Sequence, residues 1–371
     1  MNLSYWEIKS WLTDIDYTIV GSGIVGLNCA LQLKTRFPKA KIIILEKGIL
    51  PQGASTKNAG FACFGSLSEI LDDLKAHSEL EVLSLIKQRI QGLNTLRQIL
   101  GDDKIAYKPF GGYELFTKSD SELYSNCLSE RSRINTLLKP LFQEEVFRVK
   151  NNSFNFKNIQ QHYIFNPFEG QIDTGKMMEM LLRKVQENGI KILNSTALDT
   201  FSEANNAVKL KTNHFQFSTS KLLIANNGFA STLLKENVKP ARAQVLITKP
   251  IDNLHVKGTF HLEEGYYYFR NIDDRILLGG GRNLDFDGEE TSEFGAIKQI
   301  QDKLIELLKE TILPETPFKI EHQWSGIMGV GQQKTPIIKQ LSNNVFCGVR
   351  LGGMGVAIGS LVGKALADLV E

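Results

Sequence analysis

Apolar residues along this chain change their spacing at intervals, and the changes mark out its elements. Residues 17–20 form a short β-branched and aromatic run, the composition of a buried parallel strand. From Ile24 onward Val25, Leu27, Ala30, Leu31 and Leu33 fall at helical spacing, and 41–45 is a second apolar strand. Residues 53–65 keep no clear period. The spacing predicts one helix over 66–100, where Leu83, Ile86, Ile90, Leu93 and Leu100 step by threes and fours between charges. A strand at 113–116 and a helix over 119–141 follow. Asp173 or Thr174 caps a further helix, with Met178, Leu181, Leu182 and Val185 on its apolar face and a stop at Asn188-Gly189. Then come a strand at 192–194, a hairpin through Val208 and Phe215, and a buried strand at 221–225.

From Pro240 the pattern changes to separate strands at 244–248, 258–262, 266–270 and 275–278, joined by turn residues, the mark of an antiparallel sheet. A helix over 294–308, a strand at 344–349, a glycine-rich turn and a helix from Met354 to the end complete the chain. The first pattern thus returns at the end. The expected class is α/β: a discontinuous Rossmann-type domain from 1–104, 153–236 and 322–371, and an α+β domain with an antiparallel sheet from 105–152 and 237–321.

The chemistry gathers at the turns. Gly21, Gly23 and Gly26 stand in G-x-G-x-x-G spacing between the first strand and its helix, and Glu46 lies twenty residues past Gly26. The first glycine permits the turn, the second lets backbone amides approach a pyrophosphate, and the third packs helix on strand. Glu46 can accept from ribose hydroxyls and repels a 2′-phosphate. Strand, glycines, helix, second strand and acid occur in the order a dinucleotide site requires. The loop after Glu46 can wrap the rest of such a ligand, with Ser55, Thr56 and Asn58 as hydrogen bonders and Ala59 and Gly60 for close backbone approach. Asn226-Asn227-Gly228 ends a parallel strand, where open α/β sheets place ligands.

Composition narrows the class. The chain has 371 residues, 42% hydrophobic and 23% charged, with a net charge of +2. That is globular, and without the basic excess of a nucleic-acid surface. Cys29, Cys63, Cys127 and Cys347 are scattered, with no C-x-x-C and no metal-like spacing to a histidine, so free thiols and no metal are expected. No signal peptide and no apolar run of membrane-spanning length is visible, so a cytoplasmic location is expected. Trp6 and Trp11 either seal an N-terminal helix onto the body or touch a membrane surface.

On these motifs the chain resembles the D-amino-acid-oxidase superfamily of FAD-dependent oxidoreductases, including its glycine-oxidase, sarcosine-oxidase and gamma-glutamylputrescine-oxidase branches. Residues 21–26 with Glu46 look like the family's ADP-binding unit, with Ile24, Val25 and Lys47 beside it. Residues 53–60 look like its flavin loop. Gln171-Ile172-Asp173 is similar to a family landmark, and Leu198 sits where a backbone contact to adenine is expected. Residues 240–246 match the first long strand of the substrate sheet. Gly352-Gly353-Met354-Gly355, running into Val356, is similar to the turn beneath the flavin.

The resemblance implies non-covalent FAD, oxidation of a carbon bearing an amine by hydride transfer to flavin N5, hydrolysis of the imine, and oxygen or another electron acceptor. It implies a small amine or amino-acid substrate and leaves a homo-oligomer open. Amino-acid-specific members carry an arginine just past a Trp-x-Gly. Here Trp324-Ser-Gly326 is followed by Ile327 and Met328, which favours an amine or N-substituted amino acid, with Lys334 matching a basic residue of the gamma-glutamylputrescine branch.

Two arginines could still serve a carboxylate. Alternation puts Tyr266, Tyr268 and Arg270 on one face of their strand; if the other face looks at the flavin, Tyr267 and Phe269 line the pocket instead. Arg350 precedes the flavin turn, and either binds substrate or pairs with flavin or backbone carbonyls. Two competitors stay open: oxidation of a secondary amine on a tRNA wobble uridine, and a flavin-binding redox subunit without turnover.

Overall fold

The computed structural model describes residues 2–204 and 206–370. Strand Ile15–Val20 lies inside the first sheet, parallel to Ile42–Leu45 on one side and to Gln216–Ile224 on the other. Lys191–Leu193 extends the sheet beyond the former and Val345–Val349 beyond the latter, both parallel. An antiparallel edge strand, Ile337–Gln340, closes one side. Ala207–Thr212 pairs antiparallel onto the first half of Gln216–Ile224, and Leu198–Ala204 pairs antiparallel onto Ala207–Thr212 in turn.

The central strands are apolar throughout because both of their faces are covered. Ile19 and Leu223 pack on helices Ile24–Arg36, Thr174–Glu187 and Gly355–Asp368, while Val20, Ile43, Leu222 and Ile224 join a second cluster on the opposite face. The helices approach closely. A β-carbon at Gly363 would stand 2.5 Å from the Val25 carbonyl oxygen, and one at Gly92, on helix Glu79–Leu100, 2.3 Å from that of Ala357.

The second sheet has eight strands, in the order Ile320–Val330, Lys239–Thr248, Arg275–Gly280, Tyr267–Ile272, Thr259–Leu262, Gly112–Glu114, His162–Asn166, Arg148–Asn151. Neighbours are antiparallel except for the parallel pair of Thr259–Leu262 with Gly112–Glu114. Phe260, Tyr267 and Phe269 on one face pack with Ile300 and Leu304 of helix Lys298–Leu307. The other face looks toward the first sheet.

Several expectations change. Strands His162–Asn166 and Ile320–Val330 fall mostly on the nucleotide side of the expected boundaries, yet they pair within the second sheet. Ile320–Val330 pairs with Lys239–Thr248, far off in sequence, whereas His162–Asn166 also forms a hairpin with the nearby Arg148–Asn151, a strand the sequence reading did not recognise. The helix expected over 66–100 is two, Leu67–Ala76 and Glu79–Leu100. Ser78 breaks the run, its hydroxyl accepting from Glu81 N while the Glu81 carboxylate accepts from Ser78 N. Trp6 and Trp11 do not seal the N-terminus: they are 69% and 48% exposed, beside exposed Tyr5 and Ile8. All four cysteines are free and buried. Among the described residues no helix is long and apolar enough to cross a membrane.

Candidate active site

A cavity of about 830 Å³ lies between the C-terminal ends of the parallel strands and the facing side of the second sheet. Gly21, Gly23, Ile24, Val25, Glu46, Lys47, Thr196 and Leu198 line one end of it. Gly21 takes φ +102°, which only glycine adopts easily. Gly26 sits beneath the turn rather than in the cavity, and a β-carbon there would stand 2.0 Å from Gly21 O. Helix Ile24–Arg36 begins at Gly23 without an N-cap side chain; Ile24 N donates to Ser55 Oγ at 2.9 Å and Leu27 N to Gly23 O at 3.0 Å.

Glu46 is more deeply engaged than its expected ribose role implies. Its Oε2 accepts from Ser22 Oγ at 2.6 Å and Ser22 N at 3.1 Å, and its Oε1 from Gly48 N at 2.9 Å. It therefore braces the glycine turn as well as bordering the cavity.

The loop of residues 53–60 crosses the middle. Asn58 Oδ1 accepts from Gly60 N and Thr174 Oγ1, both at 2.9 Å, while its amide donates to Ser55 O. That leaves the backbone of Ala59 and Gly60 on the cavity wall. Thr56 turns away, its hydroxyl donating to Pro51 O at 2.7 Å. Trp324 Nε1 donates to Lys57 O at 2.9 Å and ties the loop to the second sheet.

Opposite the loop, Gly352 and Gly353 take φ +57° and +84° before helix Gly355–Asp368, which also starts without a side-chain cap; Met354, Gly355 and Val356 border the cavity with them. Asn227 Oδ1 accepts from Arg350 N and Leu351 N and fixes this turn. Asn226 borders the cavity, and its buried Oδ1 has no partner among the described residues. Gly228 is not on the wall: it packs under Met328, whose carbonyl oxygen a β-carbon would meet at 2.4 Å.

Two uncapped helix N-termini, left-handed glycine turns and an unpaired buried acceptor converge on one cavity. That donor set fits a dinucleotide with a pyrophosphate and a polar ring edge.

The far end is floored by one row across the second sheet. Trp324, Val245, Gly279, Tyr268, His261 and Glu114 stand opposite one another on successive strands. Val245, Tyr268 and His261 border the cavity with Phe61, Cys63 and Tyr266. Of the two alternations considered, the first is the one found: Tyr266 and Tyr268 face the cavity, and Tyr267 and Phe269 lie in the opposite core. Gly279 makes room for Tyr268, whose ring lies 2.7 Å from where a β-carbon would be. Burial pushes the Tyr268 phenol up to about 12.

Both arginines are placed elsewhere. Arg350 donates from Nε and Nη2 to Thr335 O at 3.1 and 2.9 Å, and from Nη1 to Asn237 O at 3.1 Å, so its charge is spent on backbone carbonyls outside the cavity. Arg270 shares the Tyr268 face but lies beyond the cavity wall. It is 2% exposed, without a hydrogen bond among the described residues, and burial lowers it to about 10. Ile327 and Met328 border the cavity, and Lys334 is held by Asp73 and Asp72.

The sequence reading missed His261 and Glu169. His261 Nε2 donates to Glu169 Oε2 at 2.9 Å, and Thr259 Oγ1 donates to the same oxygen at 3.0 Å. Period-two alternation could have put His261 on the Tyr268 side, but nothing local points to an acid 92 positions away. Donor atoms of Cys63, Glu169 and His261 lie within 4.8 Å of one another. Burial first, then Glu169, holds the Cys63 thiol far above its usual range.

A parallel-sheet nucleotide domain whose cradle opens beneath an antiparallel roof is the architecture of a flavin-dependent oxidoreductase. The chain belongs to the DAO family of FAD dependent oxidoreductases, whose pattern matches residues 16–369. It is an oxidoreductase, and FAD is its cofactor.

It is 21% identical over 400 residues to a probable oxidoreductase, OrdL, of Haemophilus influenzae, covering 96% of this chain and 82% of that one. It is 20% identical over 383 residues to the gamma-glutamylputrescine oxidoreductase of Escherichia coli, covering 96% and 83%. The glycine oxidase of Geobacillus kaustophilus has the same fold, with TM-score 0.76, 19% identity and coverage of 96% and 94%. So does an iminodiacetate oxidase from a Chelativorans species, with TM-score 0.76, 17% identity and 95% of each chain covered.

Proposed function

We propose that this enzyme oxidises a C–N bond of an amine or N-substituted amino acid. The observation that carries the reading is the chamber beside the cradle. It has an aromatic floor of Tyr268 and Phe61, apolar Ile327 and Met328, and Glu69, Asp72 and Glu264 on its wall against Arg282 and an Asp-paired Lys334, while Arg270 and Arg350 lie off the wall. Acids on a half-apolar wall favour a substrate that arrives as an ammonium ion. Relatives named for glycine, iminodiacetate and gamma-glutamylputrescine support the same class.

When bound, FAD supplies the two-electron acceptor. The chain contributes binding and orientation. The apolar walls exclude water, Tyr268 floors the chamber, and the loop that Trp324 holds sets the distance between floor and cradle.

The test is the visible spectrum of the purified holoenzyme, recorded without oxygen while putrescine, benzylamine, sarcosine and N-methylalanine are added in turn. Bleaching of the flavin band by one of them is expected. A band that none of them bleaches counts against the reading, and would favour an RNA-borne amine or a subunit without turnover.

A further inference from the structure

We propose that His261 and Glu169 form a proton-accepting pair in this cavity: His261 Nδ1 takes the proton from the substrate's ammonium group, and Glu169 holds the imidazolium that results. The assignment rests on the amine reading above and adds to it the base that readies the substrate.

The geometry is that of an oriented base. His261 borders the cavity, uses Nε2 on Glu169, and has no hydrogen bond at Nδ1 among the described residues. Its ring is fixed from the side by Phe61, edge-on with centroids 5.3 Å apart. Glu169 is 1% exposed and held in turn by Thr259 Oγ1 at 3.0 Å and Asn166 Nδ2 at 3.3 Å. A base within reach of the cavity and positioned from behind by a buried acid is the general pattern of an activated proton acceptor.

The charges around the ring set its affinity for a proton. Glu114 stands on the neighbouring strand and Glu69 on helix Leu67–Ala76. Cys63 lies beside the pair, its thiol held neutral, and Arg89, which faces Cys63, donates to Phe64 O at 2.8 Å. Tyr268, on the strand opposite, stays a neutral phenol. Burial alone would lower His261; Glu169 first, then Glu69 and Glu114, overcome it and raise the ring to about 9. An alkylammonium resembles lysine, near 10.4, so the transfer is close to balanced. In the step the ammonium N–H bond breaks, an Nδ1–H bond forms, and the electron pair stays on the substrate nitrogen. A hydride can leave the adjacent carbon only once that pair is free.

The test uses holoenzyme with labelled histidine. The imidazole resonance absent from His261→Gln should titrate near pH 9 in the wild type and well below that in Glu169→Gln. Flavin reduction by the panel amine that bleaches the band should rise with pH toward 9 in the wild type. The rise should shift to lower pH in Glu169→Gln and disappear in His261→Gln, with a rate loss of about 100-fold at pH 9 that added imidazole partly restores. If His261→Gln loses its flavin, the shift in Glu169→Gln carries the test. A wild type that the amine bleaches, with both variants keeping its rate and pH profile, overturns this assignment alone. A wild type that no amine bleaches overturns the amine reading, and this assignment with it.

Discussion

A β-carbon at Gly26 would stand 2.0 Å from the Gly21 carbonyl, a contact no small shift relieves. Gly26→Ala is therefore expected to lose several kcal/mol of stability and to purify without flavin, which a thermal melt and an absorption spectrum would show together. That residue was legible because its constraint is local: the turn and the helix that need it adjoin in sequence. Arg350 was not. Its neighbours place it beside the flavin turn, but its φ of +67° and the carbonyls of Thr335 and Asn237 aim it elsewhere. Arg270 is the opposite case, on the expected face and without a hydrogen bond. Its buried Nε has no partner among the described residues, and Asp173 and Asp273 attract it without a hydrogen bond, so burial costs more than charge returns. Arg270→Met should keep FAD and melt at the same or a higher temperature; a fall of several degrees would mean the guanidinium holds structure.

At the scale of elements, one acid joins the two halves. Glu114, on a strand of the second sheet, accepts from Ser66 Oγ at 2.9 Å, Leu67 N at 3.1 Å and Ser68 N at 3.2 Å, capping helix Leu67–Ala76 from outside. Burial outweighs these bonds and raises Glu114 to about 6. A carboxyl raised above its unfolded value of 4.5 contributes stability in full below that pH, and loses it as pH rises through 6. Relative to Glu114→Gln, the wild type should lose about 2 kcal/mol in all as pH rises from about 3 to about 7.5, with most of the loss around pH 4.5 to 6, read from denaturant midpoints at each pH. The Ser66–Glu69 and Ser78–Glu81 capping pairs carry S-x-x-E spacing, which the reading of one helix over 66–100 passed over because it followed the apolar period alone. Glu114's role was not legible, because a cap supplied by another sheet leaves no local pattern.

For the whole molecule, the functional volume is the gap between two sheets, and its width depends on what bridges them. The Trp324–Lys57 bond is one such bridge. Trp324→Phe removes a hydrogen bond worth about 1 kcal/mol and should weaken FAD by about fivefold, measured by flavin release on dilution. Unchanged affinity would mean the loop holds its place without the indole. Both layers and the cradle were legible, because strand composition and glycine spacing are properties of short segments. The assignment of Ile320–Val330 to the second sheet was not, nor was the meeting of His261 with Glu169, since each depends on a pairing across long stretches of chain; His162–Asn166 was missed because its hairpin partner Arg148–Asn151 carries no clear apolar alternation.

The same arrangement sorts the chain's 3 tryptophans by what their light can report. Trp6 and Trp11 stand in solvent, while Trp324 touches the flavin loop. The outer pair emits at long wavelength, and iodide extinguishes it. The emission that iodide leaves belongs to Trp324, and energy transfer to the flavin dims it. With iodide present, residual fluorescence becomes a gauge of cofactor occupancy that needs no added dye and no turnover.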